Sequence, residues 1–243
     1  MEMQPQFEKK YHMLEAKHWW FKARRDMVLK LLRTTKKDAK VIDIGCAGGT
    51  TLKFLTKNGF SNTSGIDLSS KAIKHCKSRG IKNVTCQDAT KTTFKDNTFD
   101  TLVSSDVVQN IPDDSKALKE WHRIAKKGGR LILFTDAYQW LWSKHDESAH
   151  ALRRYSLSQL KRKVKRAGWT IEKSSYWNMM LLPPIAIVRF LKNLANNKEG
   201  DDLDLPPRIL NRLITAWMKT ENSLLTHLNA PFGVNVMIVA RKR

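Results

Sequence analysis

Cysteine is scarce and unpatterned in this chain. Its three copies, Cys46, Cys76 and Cys86, form no Cys-x-x-Cys pair. The odd number and the spacing argue against a disulfide framework and a structural zinc site, and they point to a reducing, cytoplasmic setting. Long apolar runs are missing too: no stretch reaches the roughly 18 residues that a spanning helix needs. The opening MEMQPQFEKKYH has no apolar centre, so no signal peptide is expected. Acids are few, 23 Asp plus Glu against 44 Lys plus Arg, for a net charge of +21. So basic a balance favours an anionic partner: nucleic acid, an acidic membrane face or a phosphorylated substrate. A solvated surface with no such partner is the plainer alternative.

What is present reads as a soluble α/β chain. Its 243 residues, 41% hydrophobic and 28% charged, suit one domain with additions. Trp20, Ala23, Met27, Val28 and Leu31 share one face of a 3.6-residue period, which predicts a helix over 6–33. A strand at 40–45 follows, then alternating signals: helix 49–58, strand 62–67, a helix capped by Ser69 and closed by Gly80, and strand 82–87. Strand 99–105 leads to a helix opened by Pro112, lined by Leu118, Trp121 and Ala125 and stopped by Gly128–Gly129. Strand 130–135 comes next. Strand–helix–strand rhythm means a parallel sheet with helices on both faces and a ligand site beyond the strands' carboxyl ends. In the second half, a polar loop spans 136–155. Ser156 starts a basic helix to about 167, and a strand covers 169–177. A helix at 207–228 has an apolar stripe of Leu210, Leu213, Ile214, Trp217, Leu224 and Leu228, and VNVMIVARK closes the chain as a strand.

VIDIGCAGGT, residues 41–50, holds three glycines in five positions after an acid. A dinucleotide loop reads G-x-G-x-x-G, and here the spacing is off by one. The segment instead resembles motif I of the class I S-adenosylmethionine-dependent methyltransferases, D-x-G-x-G-x-G. Asp43, Gly45 and Gly49 match, and Ala47 stands at the middle glycine. The resemblance implies that the loop, Cys46 included, passes under the methionine end of S-adenosylmethionine. It further implies that Asp67, with Leu68 beside it, takes the two ribose hydroxyls. Asp88, flanked by Gln87 and Ala89, would meet the adenine. The plainer reading of each acid is an Asx turn or a helix cap. FDTLVSSDVVQNIPD resembles the family's fourth-strand segment. It places Asp106 and Val107 toward the cofactor and puts Gln109 and Asn110 where a Glu-His pair is usual. KKGGRLILFT resembles the segment before the fifth strand. The matching core covers about 36–135, and 234–241 matches the family's last, antiparallel strand. The implied fold is a seven-stranded sheet of order 3-2-1-4-5-7-6. The expected organisation is an N-terminal helical cap at 1–35, a core at 36–178, a helical insertion at 179–230 and the closing strand at 231–243.

The acceptor is less legible. No [N/D/S]-P-P-[Y/F/W] motif follows the fourth strand, which argues against methylation of a base amine. WLWSKHDESAHALRRYS, residues 140–156, follows the fifth strand and gathers His145, Asp146, Glu147, His150, Arg153, Arg154 and Tyr155. A histidine titrates near neutrality and can take a hydroxyl proton. His145 is therefore the first candidate base and His150 the second, with Asp146 as orienting carboxylate. The arginine pair and Tyr155 suit an anionic substrate group. The same four acids and histidines offer a divalent-ion set as an alternative, and a polar surface loop as another. In HWWFKARR, Trp20 and Arg24 read as a lid over cofactor or acceptor, or else as core packing. Together with YWNMMLLPP, these segments resemble type-11-like methyltransferases associated with glycan or lipid-linked sugar pathways.

MMLLPPIAIV is broken by Pro183–Pro184 and flanked by Arg189 and Lys192. With Arg208, Arg212 and Lys219, and the basic helix carrying Lys161, Arg162, Lys163, Lys165 and Arg166, it suits the headgroup region of an anionic leaflet. The expected enzyme O-methylates a glycan or lipid-linked acceptor by direct displacement at the cytoplasmic membrane face, without a metal. The alternatives are an RNA methyltransferase and a non-catalytic cofactor-binding assembly module.

Overall fold

The computed structural model describes residues 4–194 and 204–243. Seven strands form one sheet in the order β3-β2-β1-β4-β5-β7-β6. They are β1 (Val41–Ile44), β2 (Thr63–Asp67), β3 (Val84–Cys86), β4 (Phe99–Ser105), β5 (Ala125–Asp136), β6 (Trp169–Trp177) and β7 (Asn235–Lys242). β7 runs antiparallel to both β5 and β6, and the remaining neighbours are parallel. This is the order the resemblance implies. The chain leaves β1 toward β2 and β3 on one side and returns to β4 on the other. The carboxyl ends of β1 and β4 thus flank the switch point where such sheets bind ligands.

Helices α3 (Thr50–Lys57), α4 (Ser70–Ser78), α5 (Asp114–Ile124) and α7 (Leu157–Arg166) make the parallel crossovers and pack the sheet. Their starts follow capping chemistry. The Ser69 hydroxyl accepts the Ala72 N–H at 3.2 Å, Asp113 accepts that of Lys116 at 2.8 Å, and Ser156 accepts that of Gln159 at 3.2 Å. Leu118, Trp121, Leu160 and Val164 are fully buried beneath the outer helices. α7 thus turns its apolar side to the sheet and its cations outward, and Lys163 binds Asp114. It keeps no apolar face for lipid, contrary to the sequence-based expectation.

The N-terminal segment departs from its expected single helix. It forms α1 (Pro5–Leu14) and α2 (Trp19–Leu31), with a break at 15–18. The reason is a new cap: His18 Nδ1 accepts the Trp20 N–H at 3.2 Å, while Arg25 donates to the Glu15 carbonyl at 2.6 Å. α5 also ends earlier than Gly128–Gly129, because Ala125 already pairs with Phe99 in the sheet. Pro183 and Pro184 do not break a helix. They lie in the first turn of α8 (Leu182–Leu194), where a missing N–H costs nothing.

α9 (Arg208–Leu225) packs along α2. Asn222 joins three elements: its carbonyl accepts the Trp177 indole N–H at 2.8 Å, and its amide donates to the Ala23 carbonyl at 2.8 Å. Asn211 bonds Trp19 N–H and the Lys17 carbonyl in the same way. The face of α9 that docks is therefore Asn211, Met218, Asn222 and Leu225, all buried. The expected apolar stripe points elsewhere: Leu210, Leu213, Trp217, Leu224 and Leu228 are exposed. Burial of two amides that satisfy backbone groups of α2 decided the helix orientation over burial of leucine.

Candidate active site

Every parallel strand up to β5 delivers a carboxylate to one edge of the sheet. Asp43 lies in β1, Asp67 ends β2, Asp88 follows β3 by two residues, Asp106 follows β4, and Asp136 ends β5. A cavity of about 810 Å³ opens over this edge, roofed by α1, α2, α8 and α9. That is toward the upper end of the roughly 300–1,000 Å³ typical of small-molecule sites, so two ligands fit side by side. One half is polar and lies on the sheet edge. The other is walled by Phe7, Trp19, Trp20, Leu181, Ile185 and Ile214.

The glycine loop is shaped by close approach. Gly45 has φ +78°, and a Cβ there would lie 2.1 Å from Val107 Cγ2. Ala47 adopts φ +44°, the left-handed region where the family motif has glycine. Its N–H donates to Asp67 Oδ2 at 2.9 Å, and the Ser69 N–H donates to Asp67 Oδ1, also at 2.9 Å. Both oxygens of Asp67 are thereby aimed, and each keeps a lone pair for a vicinal diol. Asp88 Oδ1 accepts the Thr90 N–H at 2.7 Å, an Asx turn that leaves Oδ2 for a ligand. The Trp121 indole holds the Ala89 carbonyl at 3.0 Å, fixing the strand end beside it.

Of the residues assigned to the cofactor from sequence, Gly45, Ala47, Asp67, Leu68, Gln87, Asp88, Ala89, Asp106 and Val107 line the cavity. Asp43, Cys46 and Gly49 stand behind its wall. Cys46 packs into a small core with Leu52, Ile73, Cys76 and Val84. Gly49 lies under Cys76 and Ile81. Asp43 is buried, and desolvation first, then the nearby Asp67 charge, push its carboxyl up to about 8. Asp67 is raised by burial as well, against the two N–H bonds that lower it.

The loop expected to meet the acceptor is arranged differently from the expectation. His145 lines the cavity, its ring edge-on to Phe7 with centroids 5.3 Å apart. Asp146 does not orient it. Asp146 forms a two-point ion pair with Arg154, at 2.7 and 2.9 Å, with both side chains sealed from solvent. It also caps α6 (Lys144–Ser148) through the Ser143 N–H. Arg153 and Tyr155 both bind Asp114, so Arg153, Arg154 and Tyr155 brace the loop rather than face a substrate. His150, with φ +54°, follows α6 and is not among the cavity residues. With Glu147 paired to Lys144, the four loop groups do not converge on an ion. Trp20 lines the cavity, and Arg24 lies over its ring and forms a buried ion pair with Asp106.

Several site residues carried no legible signal. Glu8 of α1 accepts from the Ser69 hydroxyl, and Glu15 pairs with Arg79, which also donates to the Gly48 carbonyl at 2.8 Å. The Glu15 carboxylate occupies the space a Cβ on Gly48 would need. Among the described residues, His12, Glu15 and His75 come within ligand distance of one another, but Arg79 already fills that carboxylate. His18 lines the cavity, yet burial lowers its pKa to about 4, and both ring nitrogens are engaged, by Trp20 N–H and the Asp204 carbonyl. Asp136, at the end of β5, stands at a strand end as Asp67 does. It accepts from Gln109 at 3.0 Å and Asn235 at 3.0 Å, so Gln109 serves as its positioning partner.

Comparison with known proteins agrees with this geometry. Residues 42–133 match the family model described as a methyltransferase domain. The ubiquinone biosynthesis O-methyltransferase of Coxiella burnetii is 27% identical over 135 residues, 49% of this chain and 57% of that one. The chloroplastic tocopherol O-methyltransferase of Arabidopsis thaliana is 25% identical over 175 residues, 58% of this chain and 49% of that one. The chain thus spans about half the length of these relatives. A Thermotoga maritima S-adenosylmethionine-dependent methyltransferase superposes with a TM-score of 0.59 at 19% identity, covering 98% of each chain. Residues 42–133 thus match a methyltransferase domain, and the strand order and the carboxylate-edged cleft have the form of the S-adenosylmethionine-dependent methyltransferase fold.

Proposed function

We propose that this chain transfers a methyl group from S-adenosylmethionine to a hydroxyl oxygen of a lipid-linked small molecule or glycan. The observation that carries the reading is the row of strand-end carboxylates. A protein of net charge +21 lines its cleft with Asp67, Asp88, Asp106 and Asp136. Carboxylates gathered in a desolvated cleft favour a cationic ligand, and the cofactor brings a sulfonium and an ammonium. Its bound form supplies an electrophilic methyl carbon with a neutral thioether as leaving group. Asp67 holds the ribose diol, the Asp88–Ala89 turn meets the adenine, and Gly45 to Gly49 pass beneath the methionine end. Asp43, once its proton is released on binding, adds to the negative field around the cation, while Asp106 is balanced by Arg24.

The protein's task at the acceptor is alignment and removal of one proton. His145 is the proposed base, because it lines the cavity and its imidazole can accept a proton. Trp20 and the apolar wall from α1, α8 and α9 take the body of the acceptor. That wall favours a lipid-linked molecule over a free sugar, and the O-methyltransferase names of the relatives are consistent with a hydroxyl acceptor. The enzyme then works from the cytoplasmic side at a membrane surface. No described helix is long and apolar enough to cross the membrane.

The test uses methyl-labelled S-adenosylmethionine with extract of source cells and Asp67→Ala as the blank. Label that enters the organic phase supports the reading. Label in nuclease-sensitive material would make the acceptor RNA, and cofactor binding without turnover would make the chain an assembly module. Unchanged cofactor affinity in Asp67→Ala by calorimetry would overturn the ribose placement.

A further inference from the structure

α8 is apolar on both sides. Pro184, Ile185 and Val188 line the cavity, while Ile187, Phe190 and Leu191 are exposed, Phe190 at 65%. α9 repeats the pattern. Ile214 lines the cavity and Ile209, Leu213, Trp217 and Leu224 face solvent, Ile209 at 75%. The outer apolar faces of both helices therefore border the acceptor half of the cavity. Isolated exposed apolar residues are ordinary, but a two-helix patch at the mouth of a site is not.

Among the described residues of α8 and α9 the exposed charged side chains are cationic, and Asp204, just before α9, is paired with Lys10. At 3.6 residues per turn, Arg208, Arg212 and Lys219 fall on the flank of the α9 stripe away from Ile214. Lys22 of α2 stands close enough to Arg212 and Lys219 for their charges to lower its pKa, after the larger effect of burial. The sole acid of α9, Glu221, is buried and accepts the Met179 N–H at 3.0 Å. α8 has no acid. Arg189 turns inward to the Leu141 carbonyl instead of joining the rim, and the side chain of Lys192 lies outside the described residues.

We infer that the outer faces of α8 and α9 form a docking surface for an anionic lipid bilayer, seating the acceptor mouth of the cavity on the membrane. Ile209, Leu213, Trp217 and Phe190 enter the boundary between headgroups and acyl chains, and Arg208, Arg212, Lys219 and Lys22 meet lipid phosphates. A second copy fits less well. Antiparallel self-pairing of α9 about a two-fold axis perpendicular to the helix brings each cation row against its like. The docking rests on this surface alone, not on which atom is methylated.

The experiment is flotation of the full chain, without cofactor, on vesicles of phosphatidylcholine alone and of phosphatidylcholine with about 30% phosphatidylglycerol. Binding to the anionic vesicles is expected, weakened about tenfold or more by Leu213→Ser with Trp217→Ser, and again by Arg212→Glu with Lys219→Glu. Circular dichroism of the variants is expected to be unchanged, because all four side chains are exposed. No flotation, or flotation indifferent to Leu213→Ser with Trp217→Ser, would sink the inference. So would sedimentation of the wild type as a dimer that this apolar pair dissolves. Because vesicles replace cofactor in the readout, a failed docking leaves the methyl-transfer reading standing, and the reverse also holds.

Discussion

Arg24 of α2 and Asp106 at the end of β4 form an ion pair beneath the roof of the cavity, with Arg24 also over the rings of Trp20 and Trp177. Asp106 sits at φ +55°, a left-handed conformation that aspartate tolerates better than most residues. Burial raises its carboxyl, and Arg24 opposes that rise. One contact thus ties α2 to the carboxylate-bearing edge of the sheet. Arg24→Met leaves a desolvated carboxylate and is expected to cost about 3 kcal/mol in urea unfolding. Adding Asp106→Asn is expected to recover part of that loss. A double variant no more stable than Arg24→Met alone would show that the pair is not the source of the cost.

Asp43 predicts a pH dependence. Its folded pKa of about 8 lies above the ordinary 3.8, so the unliganded protein holds this proton at neutral pH. The stability associated with that proton is fully present below about pH 4 and is lost as pH rises toward 8. A bound cation favours the carboxylate, so cofactor binding near pH 7 is expected to release a proton. Calorimetry in two buffers of different ionisation enthalpy reads it directly. Asp43→Asn is expected to abolish the release and flatten stability between pH 4 and 8. Equal binding heats in both buffers for the wild type would refute the assignment.

Ala47 holds a backbone conformation that disfavours a side chain. Ala47→Gly is expected to stabilise the fold by about 1 kcal/mol, offset in part by the entropy of the unfolded chain. Thermal denaturation checks the sign. A clear fall in melting temperature would mean that the Ala47 methyl contributes packing that outweighs the strain.

Asp146 and His145 are neighbours with opposite expected phenotypes. Asp146→Ala strands the buried Arg154 and is expected to cost about 4 kcal/mol of stability, with activity per folded molecule retained. His145→Ala is expected to leave stability within about 1 kcal/mol and to lower kcat about a hundredfold or more. Denaturation curves and single-turnover rates on the same preparations separate the two. The reverse pattern would exchange their roles.

The sequence alone determined the local and the periodic. Alternating strands and crossover helices, the caps at Ser69 and Ser156, and the acids that close β2 and β3 all depend on residues adjacent in the chain. The positions of Asp67 and Asp88 at or just past strand ends were legible from local pattern, while the roles expected of them came from the family resemblance. Only the tertiary structure decided which way α9 faces, because that choice set two buried amides, Asn211 and Asn222, against a stripe of leucines. The same holds for Asp146 and Arg154. Their residue types suit catalysis as well as a buried brace, and the brace follows from full desolvation of both side chains. Glu8 reaches Ser69, and Glu15 reaches the Arg79 that holds the Gly48 carbonyl, only because α1 folds back across this edge of the sheet. A contact between segments more than thirty residues apart leaves no periodic trace, so packing was needed to reveal it.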